Sequence, residues 1–201
     1  MLFRSDGALR LGACVTHAAL EDRPTRTDLD RLLGHVARDI AFRAIRTRGT
    51  IAGSLAHADP AADWPVVLAA LGASLTLHGP AGERRLAVAD FIVGLFETRL
   101  APAEIAVSVE IPAAAHLGWG FRKVARKAGE FAHALAACVH RGDTALEVWL
   151  GALGDRPRPF VVERAAVYAS IHAALDVGDG YERHLHAHNA AEAVNDALLQ
   201  R

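Results

Sequence analysis

A short stretch between residues 46 and 63 combines small residues with hydroxyl groups in a pattern typical of phosphate-binding loops. Its two glycines leave room for a close approach of the backbone, whose N–H groups can then point together at an anion. Thr50 and Ser54 add hydroxyl groups that can donate to the same oxygens. Asp63 could accept a hydrogen bond from a sugar hydroxyl. The stretch therefore predicts a site for a phosphate-bearing ligand.

The elements around this stretch would have to hold it in place. Asp59 followed by Pro60 is typical of a helix N-cap and first helical residue, and this predicts a helix that continues through Leu71. Asp63 then falls in the first turn of that helix. A simpler interpretation is a small-residue loop between two helices, in which Asp63 only suits a helix N-terminus. Short glycine-containing loops are common, so chemistry alone favours the simpler interpretation.

Composition bounds the class of protein. The chain has 201 residues, enough for one large domain or two small ones, and 52% of them are hydrophobic. The net charge is −1 and there is no basic block, so nothing points to nucleic acid. No apolar run is long enough for a membrane span, and the N-terminus has no signal-peptide core. Cys14 and Cys138 are expected to be reduced core thiols of a cytoplasmic protein, and are too few to hold an iron–sulfur cluster.

Hydrophobic periodicity predicts an α+β fold. In the first part of the chain the predicted strands are 8–13, 75–77, 85–88 and 105–111, and the predicted helices are 17–21, 28–45 and 59–71. The strands at 75–77 and 85–88 form a hairpin, and Thr16 caps the helix at 17–21. Residues 90–96 are expected to form a short helical turn or loop.

The stretch 112–118 is the best internal boundary. After it, strands are predicted at 119–125, 131–140 and 146–153, separated by a turn at 141–143 and ended by another at 154–157. Helices at 163–175 and 180–199 then close the chain. This order predicts a C-terminal domain over 113–201, in which three antiparallel strands are covered by helices.

The run Arg48-Gly-Thr-Ile-Ala-Gly-Ser-Leu-Ala-His-Ala-Asp-Pro-Ala-Ala-Asp63 resembles the second flavin-contacting loop of a known family. That family is the FAD-binding (medium) subunit of molybdenum hydroxylases, of the carbon monoxide dehydrogenase and xanthine dehydrogenase type. Its loop usually reads Thr-Ile-Gly-Gly followed by Ser, Asp or Asn, and Ala52 replaces the first glycine here. Further segments resemble the family in the same order, namely 9–21, 91–112, 119–132 and 181–185. Within the last of these, Glu182 stands where the family usually has Arg.

The resemblance implies FAD as the cofactor, with neither a catalytic residue nor a metal ligand on this chain. The phosphates and the ribityl chain would meet the residues from Thr50 to Ser54, and Asp63 would take a cofactor hydroxyl. Ala106 would touch the flavin, and Lys123 would lie near its ring; a solvated lysine on a strand face is the alternative for Lys123. The implied FAD-binding residues are Thr50, Ile51, Ala52, Gly53, Ser54, Asp63, Ala106 and Lys123.

The resemblance also implies partners. A large subunit would carry the molybdenum cofactor, a small subunit would carry two [2Fe–2S] clusters, and the whole would form a cytoplasmic dimer of heterotrimers. Electrons would pass from the clusters through FAD to an acceptor such as NAD or a quinone. The expected function is therefore the flavin subunit of an oxidoreductase, with residues 1–112 as the second subdomain of its FAD-binding domain. The chain alone is not expected to be active.

Family members begin with a further subdomain that carries an Ala-Gly-Gly loop around the FAD pyrophosphate. The given sequence contains no Gly-Gly pair, so it is expected to be a fragment or to lack half of the cofactor site. Each lost charge-assisted hydrogen bond would weaken binding by about 1.5–3 kcal/mol. The alternative function is therefore a truncated structural or interaction subunit that no longer binds FAD.

Histidines suggest two weaker hypotheses. His184, His186 and His188 could bind a metal on a strand, as in a metal-binding accessory protein, but on the predicted helix only His184 and His188 meet. His17 and His57 lie near Ser and Thr residues, as in hydrolases, yet no Gly-x-Ser-x-Gly sequence accompanies them. A capping or loop role is expected for these two. Trp64, Trp119 and Trp149 are expected to be core or interface residues.

Overall fold

A computed structural model describes residues 2–5, 8–113, 118–140 and 146–199 of the chain. It confirms the α+β fold. The elements up to residue 113 are β1 (Leu2–Ser5), β2 (Ala8–Gly12), α1 (His17–Glu21), α2 (Asp28–Arg38), α3 (Arg43–Arg46), α4 (Ile51–His57), α5 (Asp63–Ala70), β3 (Ser74–Gly79), β4 (Gly82–Ala87), α6 (Val88–Phe91), β5 (Ile92–Gly94), β6 (Glu97–Thr98) and β7 (Ile105–Ile111). The elements after residue 117 are β8 (Gly118–Val124), β9 (Ala134–His140), β10 (Leu146–Gly151), β11 (Arg158–Val162), a 3-10 turn (Arg164–Ala166), α7 (Val167–Ala174) and α8 (Gly180–Leu199).

The N-terminal sheet has the strand order β1-β2-β7-β3-β4, and every neighbouring pair is antiparallel. The central strand, β7, has the bounds that its alternating pattern predicts. Val109 and Ile111 of this strand are buried, and Leu9 lies opposite Ile111 in the neighbouring strand. The predicted hairpin is also confirmed, as β3 and β4. α4 packs against β7, so this sheet supports the stretch of small residues.

The C-terminal sheet has the order β11-β10-β9-β8 among the described residues, one strand more than predicted. The additional strand, β11, contains Pro159, which weakens the strand signal in the sequence. It lies at the edge of the sheet, where a residue without an N–H group is tolerated. α8 has the predicted bounds and packs on β8 and β9. The predicted turn at 141–143 and most of the stretch 112–118 lie outside the described residues.

The helix predicted over 28–45 is broken into α2 and α3. A capping box between Thr27 and Asp30 starts α2, and the chain leaves it at Asp39. Ala41 then takes a positive φ of 43°. The guanidinium of Arg46 donates to the carbonyl oxygens of Ile40 and Ala41, at 2.9 and 2.8 Å, and holds the break in place. Side-chain hydrogen bonds of this kind do not show in the hydrophobic periodicity of the sequence, which therefore predicts a single helix.

The predicted N-cap at Asp59 is wrong. Asp59 instead accepts the N–H of Ala61 in a turn, and α5 starts at Asp63 after Ala62, which has no capping side chain. Asp63 does fall in the first turn, as predicted. The stretch expected to be a loop is mostly helical, because Thr50 caps a separate helix, α4. Residues 90–96, expected to be a helical turn or loop, divide between the end of α6, the strand β5 and a turn at 95–96.

One hydrophobic core runs through both sheets. Every residue of α5 is buried, which is the behaviour of a helix that is apolar all round. Phe121, Leu135 and Trp149 from the C-terminal sheet belong to the same core as Trp64 of α5. The N–H of Ala152 also donates to the carbonyl of Pro60 at 2.8 Å. No helix among the described residues is long and apolar enough to cross a membrane.

Candidate functional site

The start of α4 is built by Thr50. Its backbone is extended, and its hydroxyl accepts the N–H of Gly53 at 3.0 Å, as expected of an N-cap residue. Gly53 is exposed and Ser54 is half-buried, whereas Ile51 and Ala52 point into the core. A Cβ atom on Gly53 would lie 2.8 Å from the Thr50 hydroxyl oxygen. Glycine therefore avoids a clash with the capping hydroxyl, and no side chain at this position covers the helix start.

Most N–H groups at this helix start already have acceptors. Ile51 donates to the carbonyl of Val15 at 3.1 Å, and Ser54 donates to the carbonyl of Thr50 at 3.0 Å. The N–H of Ala52 has no acceptor among the described residues. The helix start thus has one N–H without an acceptor, on the buried residue Ala52, together with the positive end of its peptide dipoles, which favours a negatively charged group.

Asp63 and Lys123 form a buried ion pair. Asp63 begins α5 and Lys123 lies on β8, so the pair joins elements that are 60 residues apart in the chain. The Lys123 ammonium lies 3.0 and 3.1 Å from the two carboxylate oxygens. It also donates to the carbonyl of Asp39 at 3.2 Å. Both side chains are almost fully buried, 6% exposed for Asp63 and 10% for Lys123.

Burial dominates the electrostatics of this pair. Removal from water raises the pKa of Asp63 to about 6, although the Lys123 charge and its hydrogen bond pull that pKa down. The negative charge of Asp39 pushes in the same direction as burial. Asp63 is therefore ionised at neutral pH chiefly because Lys123 is beside it. The start of α5 therefore carries the Lys123 ammonium paired with Asp63, and the Asp63 carboxylate is not free.

A cleft of about 440 Å³ opens beside Lys123, between α2–α3 and the segment that follows β8. Arg38 and Lys127 line it together with Lys123, and the exposed ring of Phe42 forms part of its wall. In all, five basic residues and one acidic residue, Asp39, line the cleft, and this excess of positive charge favours an anionic ligand. The eighth predicted residue, Ala106, is half-buried on β7, the strand under α4.

His17 and Trp64 are site residues that sequence reasoning missed. The Trp64 indole N–H donates to Nδ1 of His17 at 3.0 Å inside the core. Trp64 follows Asp63 directly, and the backbone N–H of His17 donates to the carbonyl of Gly49 at 2.9 Å. The two residues are 47 positions apart, so no spacing in the sequence reports their contact. His17 therefore has a buried structural role, in place of the capping or loop role expected for it.

His17 should make the stability of the fold depend on pH. Burial, helped by the positive charge of Arg46, lowers its pKa from 6.5 to about 4. The unfolded chain then binds more protons than the folded one between these values, so stability is lost as pH falls from about 6.5 to 4. We expect a loss of about 2–3 kcal/mol from this group. Urea unfolding across this range, beside the non-titrating variant His17→Asn, measures it; parallel pH profiles for both proteins would contradict it.

The three histidines of α8 and the two cysteines are sequence candidates for metal binding and for the core, respectively. The rings of His184 and His188 stack with centroids 6.2 Å apart, as the helical spacing predicts, while His186 is fully buried. The described residues hold no group of three or more side chains suited to a metal ion. Cys138 is a buried free thiol as expected, but Cys14 is exposed, so its assignment to the core is wrong.

Comparison with known proteins assigns the fold to a family. Residues 1–114 match the family described as the FAD binding domain in molybdopterin dehydrogenase, and the chain belongs to this family. The predicted resemblance is thereby confirmed, and the predicted cofactor is the one in the family's description.

Two curated relatives are medium subunits. The chain is 38% identical to the nicotine 6-hydroxylase medium subunit of Paenarthrobacter nicotinovorans over 131 residues, which are 65% of this chain and 46% of the relative. It is 39% identical to the carbon monoxide dehydrogenase medium chain of Hydrogenophaga pseudoflava over 111 residues, 55% of this chain and 39% of that one. The matched part is thus less than half the length of either relative.

Two solved structures share the fold over the whole described chain. Quinoline 2-oxidoreductase from Pseudomonas putida 86 superposes with a TM-score of 0.84 at 30% identity, covering 98% of this chain and 78% of that one. Carbon monoxide dehydrogenase from Hydrogenophaga pseudoflava gives a TM-score of 0.90 at 26% identity, covering 100% and 78%.

The residues present fit one part of a phosphate-bearing flavin cofactor. An N–H without an acceptor among the described residues and an exposed glycine lie at the start of α4, and a buried cation lies beside a basic cleft. These groups suit phosphate oxygens and an electron-rich ring. The assignment of Thr50, Ile51, Ala52, Gly53, Ser54, Asp63, Ala106 and Lys123 to FAD stays a prediction.

Proposed function

We propose that this chain is the FAD-binding part of the medium subunit of a molybdenum-hydroxylase-type oxidoreductase. One arrangement carries the proposal: the Thr50-capped start of α4 and the Asp63–Lys123 ion pair, which joins α5 to β8, occur in a chain of the matching family. Bound FAD would supply the electron transfer, which amino-acid side chains cannot. The chain would supply binding and orientation.

Six of the eight predicted residues have the following places under this proposal. Thr50 holds the helix start open by capping it, and the N–H of Ala52 is available for a phosphate oxygen. Asp63 and the carbonyl of Asp39 hold the Lys123 ammonium in place from two sides, and that cation favours negative charge in the neighbouring cleft. Ile51 is the buried first residue of α4, and Ala106 is half-buried on β7, the strand against which α4 packs.

The proposal includes the assembly. Electrons would enter from [2Fe–2S] clusters on a small subunit, after substrate oxidation at a molybdenum cofactor on a large subunit, and leave to an acceptor. The support is the family match and the medium-subunit relatives. We extend the proposal to a cytoplasmic dimer of heterotrimers. Within it, this chain would have two domains, residues 1–112 and residues 113–201. The chain by itself would then have no activity.

A second candidate is a structural or interaction subunit that does not bind FAD. Internal hydrogen bonds already use the N–H groups of Ile51, Gly53 and Ser54, and the Lys123 ammonium already pairs with Asp63 and donates to its Oδ2. This internal satisfaction of the site favours the second candidate.

Titration of the purified chain with FAD separates the two candidates. We expect quenching of flavin fluorescence and a raised melting temperature, measured beside a version extended by an upstream family-type subdomain. The variant Gly53→Val should weaken binding at least tenfold, because its side chain would stand over the helix start. Gly180→Ala is the matched control, since a Cβ there meets no atom within 4 Å.

Each outcome has a distinct meaning. Binding to the chain as given, lost in Gly53→Val, means that the helix start at Thr50 is sufficient. Binding only to the extended version means that the cofactor site needs the added subdomain. Failure of both to bind would overturn the flavin proposal and leave the structural candidate.

A further inference from the structure

His17 stands between the two parts of the candidate site. Its side chain reaches Trp64 at the start of α5, and its backbone reaches Gly49 just before α4. The residue is 6% exposed, so both contacts lie inside the protein. It has no place among the eight predicted FAD-binding residues.

The first contact fixes the chemical state of the imidazole. Because the Trp64 indole N–H can only donate, Nδ1 of His17 must accept, and the proton of the neutral ring stays on Nε2. A protonated imidazole would carry hydrogen on both nitrogens and lose this bond. Arg46 is the charged residue whose field reaches the ring. The ring is therefore held as a neutral acceptor against α5.

The second contact is steric. A Cβ atom on Gly49 would lie 2.8 Å from both Cδ2 and Nε2 of His17, so the ring occupies the space that a side chain would take. Around this contact, the backbone at residues 15–17 is joined to residues 49–51. The joining bonds are His17 N–H to Gly49 at 2.9 Å, Ile51 N–H to Val15 at 3.1 Å, and the bridge between Thr16 and Thr50.

We propose that His17 is a positioning residue, which fixes the Thr50-capped helix start relative to Asp63 and thereby sets the affinity of the site for FAD. The inference rests on the proposed function. His17 does not touch the cofactor in this scheme; it acts through Gly49 and Trp64. A hydrogen bond in the core resists relative motion of the two groups because breaking it leaves a buried donor unsatisfied.

Two variants remove the bond from opposite ends. His17→Leu removes the acceptor, and Trp64→Phe removes the donor while keeping an aromatic ring in the core. Both should raise the dissociation constant for FAD about tenfold in the version of the chain that binds it. The double variant should be no worse than either single one, because the two residues act as a unit. His17→Asn, whose amide oxygen can replace Nδ1, should restore much of the affinity.

Amide hydrogen exchange tests the same inference without cofactor. In the 201-residue chain, His17→Leu and Trp64→Phe should speed exchange at residues 51–54 several-fold, while β9 amides keep their rates. Trp119→Phe is the matched control, because the Trp119 indole N–H has no partner among the described residues. It should leave residues 51–54 unchanged.

The outcomes separate this inference from the proposed function. Unchanged exchange at 51–54 in both variants, or an equal change in Trp119→Phe, overturns the positioning role whatever FAD does. Faster exchange without any FAD binding, even to the extended version, overturns the proposed function and with it the link to affinity. If His17→Leu fails to fold, Trp64→Phe decides the result alone.

Discussion

Replacing Gly120 with Ala is expected to detach α8 from the C-terminal sheet. Gly120 lies on β8, and an added Cβ would overlap the carbonyl oxygen of Ala193 and lie 2.7 Å from its carbonyl carbon. Those atoms belong to the backbone of α8, so no side-chain rotation relieves the clash. Overpacking a core costs about 1–3 kcal/mol, and we expect at least the upper end of this range. Urea unfolding followed by circular dichroism measures the loss.

The reason for the close approach is a face of small residues on α8. The buried positions of this face include Ala187, Ala190, Ala193, Val194 and Ala197. Small side chains allow the helix to lie close to β8, and Asn189 donates to the carbonyl of Arg122 at 3.1 Å across the contact. Gly180→Ala, at the exposed start of the same helix, should leave stability within about 0.5 kcal/mol. Equal losses in both variants would contradict this account.

Replacing Lys123 with Met should destabilise the protein strongly at pH 8 and weakly at pH 5. Removing one partner of a buried pair leaves an uncompensated charge, at a cost of about 3–5 kcal/mol. The pKa of Asp63 is already raised to about 6 and would rise further without the lysine. Below that pKa the folded protein takes up a proton at Asp63, which relieves the cost, and the relief disappears as pH rises. Urea unfolding at both pH values measures the difference.

The matched control removes both charges. The double variant Asp63→Asn with Lys123→Met holds no carboxylate at this place, so its stability relative to the unaltered chain should vary less between pH 5 and 8. His17 titrates in the opposite sense over part of this range, which is why the comparison is made between variants at each pH. A cost of Lys123→Met that is the same at both pH values would mean that Asp63 does not carry the effect.

Local signals in the sequence were sufficient for several elements. Thr16 accepts the N–H of Ala19 and caps α1 as predicted, and the bounds of β7 and α8 follow from alternation and helical periodicity. The errors share a different cause. Gly53 suggests a loop, but Thr50 caps a helix there, and the break after α2 depends on side-chain contacts of Arg46 with Glu21 and with the carbonyl groups of Ile40 and Ala41. Such contacts leave no periodic trace.

In the candidate site, too, the sequence indicated single residues but not their contacts with each other. A local pattern together with a family resemblance indicated Thr50, Gly53, Asp63 and Lys123 one by one. That Asp63 and Lys123 bind each other depends on how the C-terminal sheet packs against α5, and that His17 lies against Gly49 depends on how residues 15–17 meet residues 49–51. Position along the chain carries no information about these distances, so the partnerships had to come from the structure.

The core shared by the two sheets has a mechanical consequence. Since α5 is buried on all sides and belongs to the same core as Trp149 and Leu135, the described residues contain no hinge between the sheets at this point. The part of the cleft wall at Lys123 is therefore fixed relative to α5, through Asp63 and the shared core. A ligand that binds against this part of the wall would lose little binding free energy to relative motion of the two sheets.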